Sequence, residues 1–273
     1  MMALVLRKLG FALAVLALVS PALFVFLWML SLSLKSEAEN IAFPPVFIPD
    51  PPTLDNYVKV FAENDSLLYS WNSVLVTGGA VLIGLLVGIP AGYGIARSRS
   101  TRFAVLILLA RMTPGLSYLI PLFLAFQLLG LIGTTASLIT THLVITIPII
   151  VWVMIGAFEG VPADLEDAAT VDGASPFQSF LLVAMPLAKP GIVIGTILAF
   201  IFSWNNFVFS VVLGGKTTRT LPSAIYNVLS FEQISWGPLA AAALLVTLPV
   251  VLVTIIAQKQ IVAGLSAGGL KDG

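Results

Sequence analysis

Polar and apolar positions along this chain alternate in long blocks rather than with a short period. Leu9 to Leu34, Ser66 to Ala96, Met112 to Phe158, Pro190 to Gly215 and Gln233 to Gln258 each run without an Asp, Glu, Lys or Arg. A helix needs about 20 apolar residues to cross a bilayer's hydrocarbon. The third run is long enough for two crossings and breaks at Gly130-Leu-Ile-Gly133-Thr-Thr, a turn-prone piece. With that break, and with its first half extended back to Phe103, the pattern predicts six spans, near 9–34, 71–96, 103–129, 135–158, 188–213 and 238–260. The expected architecture is all-α and integral to the membrane. It comprises an N-terminal transmembrane helix over 1–35, an outer loop over 36–70, a core of five helices over 71–263 and a tail over 264–273.

Two features flank the spans. Arg7-Lys8 precede the first apolar run, which is longer than the roughly 7–15 residues of a signal-peptide core, so a permanent helix is expected there. The 36–70 loop is rich in proline and reads as extended chain. Within it, after the prolines, a short amphipathic helix with Leu54, Tyr57, Val58 and Phe61 on one face and Thr53 as its cap is expected over the outer mouth.

Composition supports the membrane reading. The 273 residues are 59% hydrophobic and 10% charged, with mean hydropathy +1.06, against about 25% charged in soluble domains. Net charge is zero, which gives no case for nucleic acid. There is no cysteine and one histidine, His142, so thiolate and His-rich metal sites are excluded. Lys and Arg mark cytoplasmic loops. An N-in arrangement places Arg7, Lys8, Arg97, Arg99, Arg102, Lys189, Lys259 and Lys271 inside, against Lys35, Lys59, Lys216 and Arg219 outside.

One polar segment interrupts the apolar blocks on the expected inner side, about 162–186. Pro162 suits a helix's first turn, and Asp164, Glu166 and Asp167 suit its dipole. Gly173 is placed to end that helix in a left-handed conformation. Ser175, Pro176 and Gln178 make a capping-box start for a second helix, which Pro186 closes or bends. The segment therefore reads as a helix-turn-helix with small residues, Ala168-Ala169, beside the turn.

Within the spans, Arg111 is the lone charge in an apolar run and would cost about 2.5–3.5 kcal/mol at mid-membrane. A structural ion pair or carbonyl contact is expected for it. No carboxylate lies at mid-span, which points to a partner on another subunit. Trp204, Asn205 and Asn206 must be satisfied inside a bundle, either lining a solute pathway or binding helix to helix; both readings stand. Tyr118 and Gln127 are further lining candidates, and His142 is expected to hydrogen-bond a neighbouring helix. Gly78, Gly79, Gly84, Gly88, Gly92 and Gly94 predict a closely packed face on the second span.

The polar segment resembles the EAA loop of ABC importer permeases. That pattern is Glu-Ala-Ala, three residues, Gly, nine residues, Ile, one residue, Leu-Pro. Here Asp167-Ala168-Ala169, Gly173, Val183 and Met185-Pro186 hold every spacing, with Asp for Glu, Val for Ile and Met for Leu. Asp172-Gly173-Ala174 and Pro186-Leu187-Ala188-Lys189-Pro190 match the longer form found in sugar permeases. Phe202-Ser-Trp-Asn-Asn-Phe207, Arg111-Met-Thr-Pro-Gly115, Ile120-Pro-Leu-Phe123, Thr53-Leu-Asp-Asn-Tyr57 and the tail Gln260–Lys271 also resemble this family, in its MalG-like carbohydrate branch. Asn206 departs from it, since an acid is commoner there.

The resemblance implies a type I importer permease fold in a bacterial or archaeal cytoplasmic membrane, with both termini cytoplasmic. The implied partners are a second, MalF-like permease, two ATP-binding subunits and an extracytoplasmic solute-binding protein, with a sugar or polyol as substrate. Glu166, Asp167, Ala168, Ala169, Asp172 and Gly173 would couple to the ATPase. This chain has no phosphate loop, so it is not expected to be an enzyme or to carry a cofactor; ATP and Mg would reside on the partner ATPase. The rival reading is a secondary transporter or channel with no ATPase. Such proteins usually carry midplane ionisable groups, and this chain offers only Arg111 and His142.

Overall fold

The computed structural model describes residues 2–63, 65–228 and 235–269. All regular structure in these residues is helical. In order the helices are α1 Met2–Ser33, α2 Glu37–Asn40, α3 Asp55–Glu63, α4 Ser66–Ser98, α5 Thr101–Met112, α6 Leu119–Leu128, α7 Thr135–Glu159, α8 Ala163–Val171, α9 Pro176–Ser179, α10 Met185–Leu187, α11 Lys189–Trp204, α12 Val208–Leu213, α13 Leu221–Val228 and α14 Trp236–Gly269. Four helices are long and apolar enough to cross a membrane, and six spans result if each of two bent pairs counts as one. The expected tail from 264 is helical as far as Gly269. Leu270 to Gly273, with Lys271, and residues 229–234 lie outside the described residues.

The third and fifth predicted spans are not the single helices the apolar pattern suggested. The third turns by 91° between Thr101–Met112 and Gly115–Leu128. Pro114 lacks an N–H, and it holds Thr113 in an extended conformation, φ −67° and ψ 124°. In the fifth, helix Lys189–Trp204 turns by 75° from the preceding Pro176–Leu187. It stops at Trp204 and resumes as the short α12.

The chain forms two compact units. The first comprises residues 1–66 and 224–247. Here α3 buries Asn56 and Val60 and leaves Val58 exposed, as is Leu54 just before it; of the predicted apolar face Tyr57 packs inward with Val60 and Leu54 and Val58 do not. Hydrogen bonding decides the orientation: the Asn56 amide donates to the carbonyls of Ser33 at 3.0 Å and Lys35 at 2.8 Å. Thr53 does cap the helix, accepting from the Asp55 N–H. Val60 packs with Ala241 and Ala242 of α14. Glu37 accepts from the N–H groups of Trp236 and Gly237, placing an acid at the N-terminus of α14. Buried Lys35 donates to the Val46 carbonyl at 2.6 Å. Burial pushes its ammonium below the ordinary value, with Glu39 acting in opposition.

The second unit comprises residues 67–223 and 248–273 and is built on α7. That helix is buried on most sides, with Ile150, Met154 and Phe158 at its centre. Helix α4 lies against it along a glycine seam. A Cβ on Gly88 would fall 2.7 Å from Ile150 Cγ2, and one on Gly92 would fall 2.5 Å from Met154 Cβ. Gly79 and Gly84 are equally tight, whereas Gly78 and Gly94 meet nothing within 4 Å. Four of the six predicted glycines thus form the seam. Polar side chains join α7 to both neighbours: Thr146 donates to the Ala80 carbonyl of α4, and His142 Nδ1 meets Ser203 Oγ of α11 at 2.8 Å.

Candidate functional site

The 162–186 segment folds as its capping residues require. Helix α8 follows Pro162 and ends in a Schellman turn, with Gly173 N–H on the Thr170 carbonyl at 3.0 Å and Ala174 N–H on the Ala169 carbonyl at 2.9 Å. Gly173 has φ +94°. Ser175 and Gln178 form the reciprocal capping box that starts α9. A π-helical turn over Phe180–Ala184 then carries the chain into α10 and α11.

The candidate coupling residues divide into two sets. Asp167, Ala168, Asp172 and Gly173 are exposed and Ala169 is half-buried. Glu166 faces the other way and is 8% exposed, so its carboxylate belongs to the interior of this chain and not to a docking surface. It accepts from Arg97 Nε at 2.8 Å and also from Arg97 Nη2. The Tyr93 hydroxyl donates to its other oxygen at 2.5 Å. Arg97 further donates to the carbonyls of Phe158 and Val161. One guanidinium thereby joins the ends of α4 and α7 to the first turns of α8.

Two features here were not singled out in the sequence. Tyr93 and Arg97 are one such feature: the sequence marks Arg97 only as an inside-facing basic residue and Tyr93 not at all. Val171 and Phe177 flank the Gly173 turn with 88% and 68% exposure. Phe177 sits beside the Phe180 ring, centroids 6.5 Å apart, and the sequence alone carries no sign that both apolar side chains stay exposed.

The candidates within the spans also divide. A cavity of about 520 Å³ opens at the bend between α5 and α6, lined by Arg111, Tyr118 and Asn206 together with Ile149, Phe202 and Phe209. Trp204 is 4% exposed and stacks on Phe200. Asn205 is exposed and bonds back to the Ile201 carbonyl, contrary to the expectation that it faces the bundle interior. Gln127 is exposed on α6. None of these three lines that cavity. Asn206 Oδ1 accepts from the Phe209 N–H at 3.2 Å and so restarts the chain as α12. Arg111 makes no ion pair or hydrogen bond among the described residues, and the expected carbonyl contact is absent there.

The family model for the binding-protein-dependent transport system inner membrane component matches residues 80–266. The chain belongs to that family. It is 36% identical over 262 residues to the trehalose transport system permease SugB of Mycobacterium tuberculosis, covering 93% of this chain and 94% of that one. It is 32% identical over 253 residues to the sulfoquinovosyl glycerol transport system permease SmoH of Agrobacterium fabrum, covering 91% and 89%. A chain from the crystal structure of a bacterial ABC transporter that imports alginate aligns with TM-score 0.77 over 93% of this chain and 96% of its own, at 23% identity. That likeness concerns the fold.

The protein is therefore a multi-pass inner-membrane permease subunit of a binding-protein-dependent ABC importer. ATP hydrolysis belongs to partner subunits, and the permease family carries no cofactor. No group of three or more His, Cys, Asp and Glu able to hold a metal occurs among the described residues.

Proposed function

We propose that this permease pairs with a second, MalF-like permease, two ATP-binding subunits and an extracytoplasmic solute-binding protein, and that the turn between α8 and α9 is the surface through which ATP-driven motion enters. Both termini are then cytoplasmic, with the 36–70 and 214–237 loops outside. The observation that carries this reading is the form of the loop. It is a tightly capped pair of short helices that presents Ala168, Gly173, Val171 and Phe177 outward while tying Glu166 inward to Arg97. Small residues allow close approach, and the two apolar side chains supply buried area in a cleft. Asp167 and Asp172 offer carboxylates at its rim.

The chain has no cysteine, so one introduced cysteine reports one position. Val171→Cys should crosslink to an ATP-binding subunit in the assembled complex. In intact cells it should resist a membrane-impermeant maleimide that labels a cysteine placed at Phe43. Labelling of Val171→Cys from outside would reverse the orientation. Failure of the ATP-binding subunit to crosslink in an assembled complex would remove the docking role.

A further inference from the structure

The cavity at the α5–α6 bend has an uneven chemistry. Its charged group is Arg111, and no carboxylate lines it. The Asn206 oxygen is already taken by the Phe209 N–H, which leaves its amide hydrogens to offer. A guanidinium presents five donors and no acceptor. The Tyr118 hydroxyl adds a further donor at the same wall, and Tyr118, Phe202 and Phe209 supply aromatic surface. A neutral sugar brings hydroxyls that can accept from these donors, but it leaves the cation's charge uncompensated and its own hydroxyl hydrogens with few acceptors here. An anion with apolar C–H faces satisfies both halves of this lining. The volume, about 520 Å³, lies within the roughly 300–1,000 Å³ of small-molecule clefts.

We infer that Arg111 is a specificity-determining residue for the transported solute and that this solute is an acidic sugar, one bearing a carboxylate or sulfonate. The guanidinium grips the acidic group in a charge-assisted, bidentate fashion, with Asn206 and Tyr118 alongside and the aromatic walls against the ring. This rests on the cavity being part of the solute pathway of the assembled importer proposed above. It also accounts for a cation kept within an apolar span without a partner among the described residues.

The test uses the complete transporter in proteoliposomes with its binding protein. ATP-driven uptake is measured for glucuronate against glucose, galacturonate against galactose, and glucose against its analogue with a sulfonate in place of the primary hydroxyl. Uptake of an acidic member is expected. Arg111→Gln should lower it roughly 10- to 100-fold, as loss of charge-assisted hydrogen bonds does, and Arg111→Lys should restore part of it. Uptake of no acidic member overturns the inference. So does an equal loss for acidic and neutral members in Arg111→Gln. Loss of the second permease from the purified Arg111→Gln complex overturns it too, because the guanidinium then serves a subunit interface. A wild-type preparation that lacks an ATP-hydrolysing subunit defeats the assembly itself, a result distinct from these.

Discussion

Arg97 and Glu166 form the ion pair on which the α8–α9 loop hangs. Their side chains are 24% and 10% exposed. The same guanidinium holds the carbonyls of Phe158 and Val161, so α8 cannot shift without disturbing the ends of both α4 and α7. A loop fixed in this way passes force to the spans rather than swinging freely. Glu166→Ala should therefore uncouple the importer: ATP hydrolysis persists while uptake falls. Loss of a charge-assisted contact of this kind costs about 1.5–3 kcal/mol, which thermal unfolding in detergent would register as a modest decrease. Arg97→Lys keeps the charge but loses the fork, and should fall between. Undiminished uptake in Glu166→Ala would show that the pair merely decorates the loop.

Gly173 is constrained by its backbone and not by space. Its φ is +94°, and a Cβ added there would meet no atom within 4 Å. Gly173→Ala should cost about 1–2 kcal/mol locally through the left-handed conformation alone, and Gly173→Asn less. Gly173→Pro also removes the N–H that meets Thr170. It should leave the protein in the membrane but abolish transport-linked ATP hydrolysis or assembly, as read by copurification and sugar-stimulated ATPase assay. Wild-type stimulation in that variant would refute the role of the turn.

The loop was legible in the sequence because its signals are local. Capping by Ser175 and Gln178 and the left-handed Gly173 depend on neighbours within a few residues. The α3 face was misread because Asn56 owes its burial to carbonyls more than twenty positions away, which periodicity cannot register. The third span looked continuous because Pro114 sits in an unbroken apolar run, and hydropathy is blind to a missing N–H. The inward turn of Glu166 escapes the sequence for a similar reason: its partners, Tyr93 and Arg97, come from a different helix.

The seam between α4 and α7 predicts a graded response. At Gly92 a methyl would meet Met154 Cβ and, at 3.2 Å, backbone atoms of Met154 and Val151. Backbone cannot step aside, so Gly92→Ala should destabilise by about 1–3 kcal/mol. Gly94→Ala, with open space, should be neutral or gain up to about 1 kcal/mol from helix propensity. Melting temperatures of the two variants in one detergent should straddle the wild type. Equal values would mean that the helices do not approach this closely.

Glu39 ties acid sensitivity to the 36–70 loop. It accepts from the Ser36 N–H at 3.0 Å and the Asp50 N–H at 3.3 Å. Those two backbone donors, followed by the Ser36 hydroxyl and Lys35, hold its pKa below the ordinary 4.5, while desolvation opposes them. A carboxylate whose folded pKa is depressed adds stability above its unfolded value, and that stability is lost as pH falls through the folded one. The loop should accordingly keep its protection at neutral pH and loosen only below about pH 4.5. Hydrogen exchange at the amides of Ser36 and Asp50, followed from pH 6 downward, reads this directly. Glu39→Gln should exchange faster at neutral pH and lose the step on acidification. A wild-type step centred above the ordinary carboxylate value would assign the titration to another group.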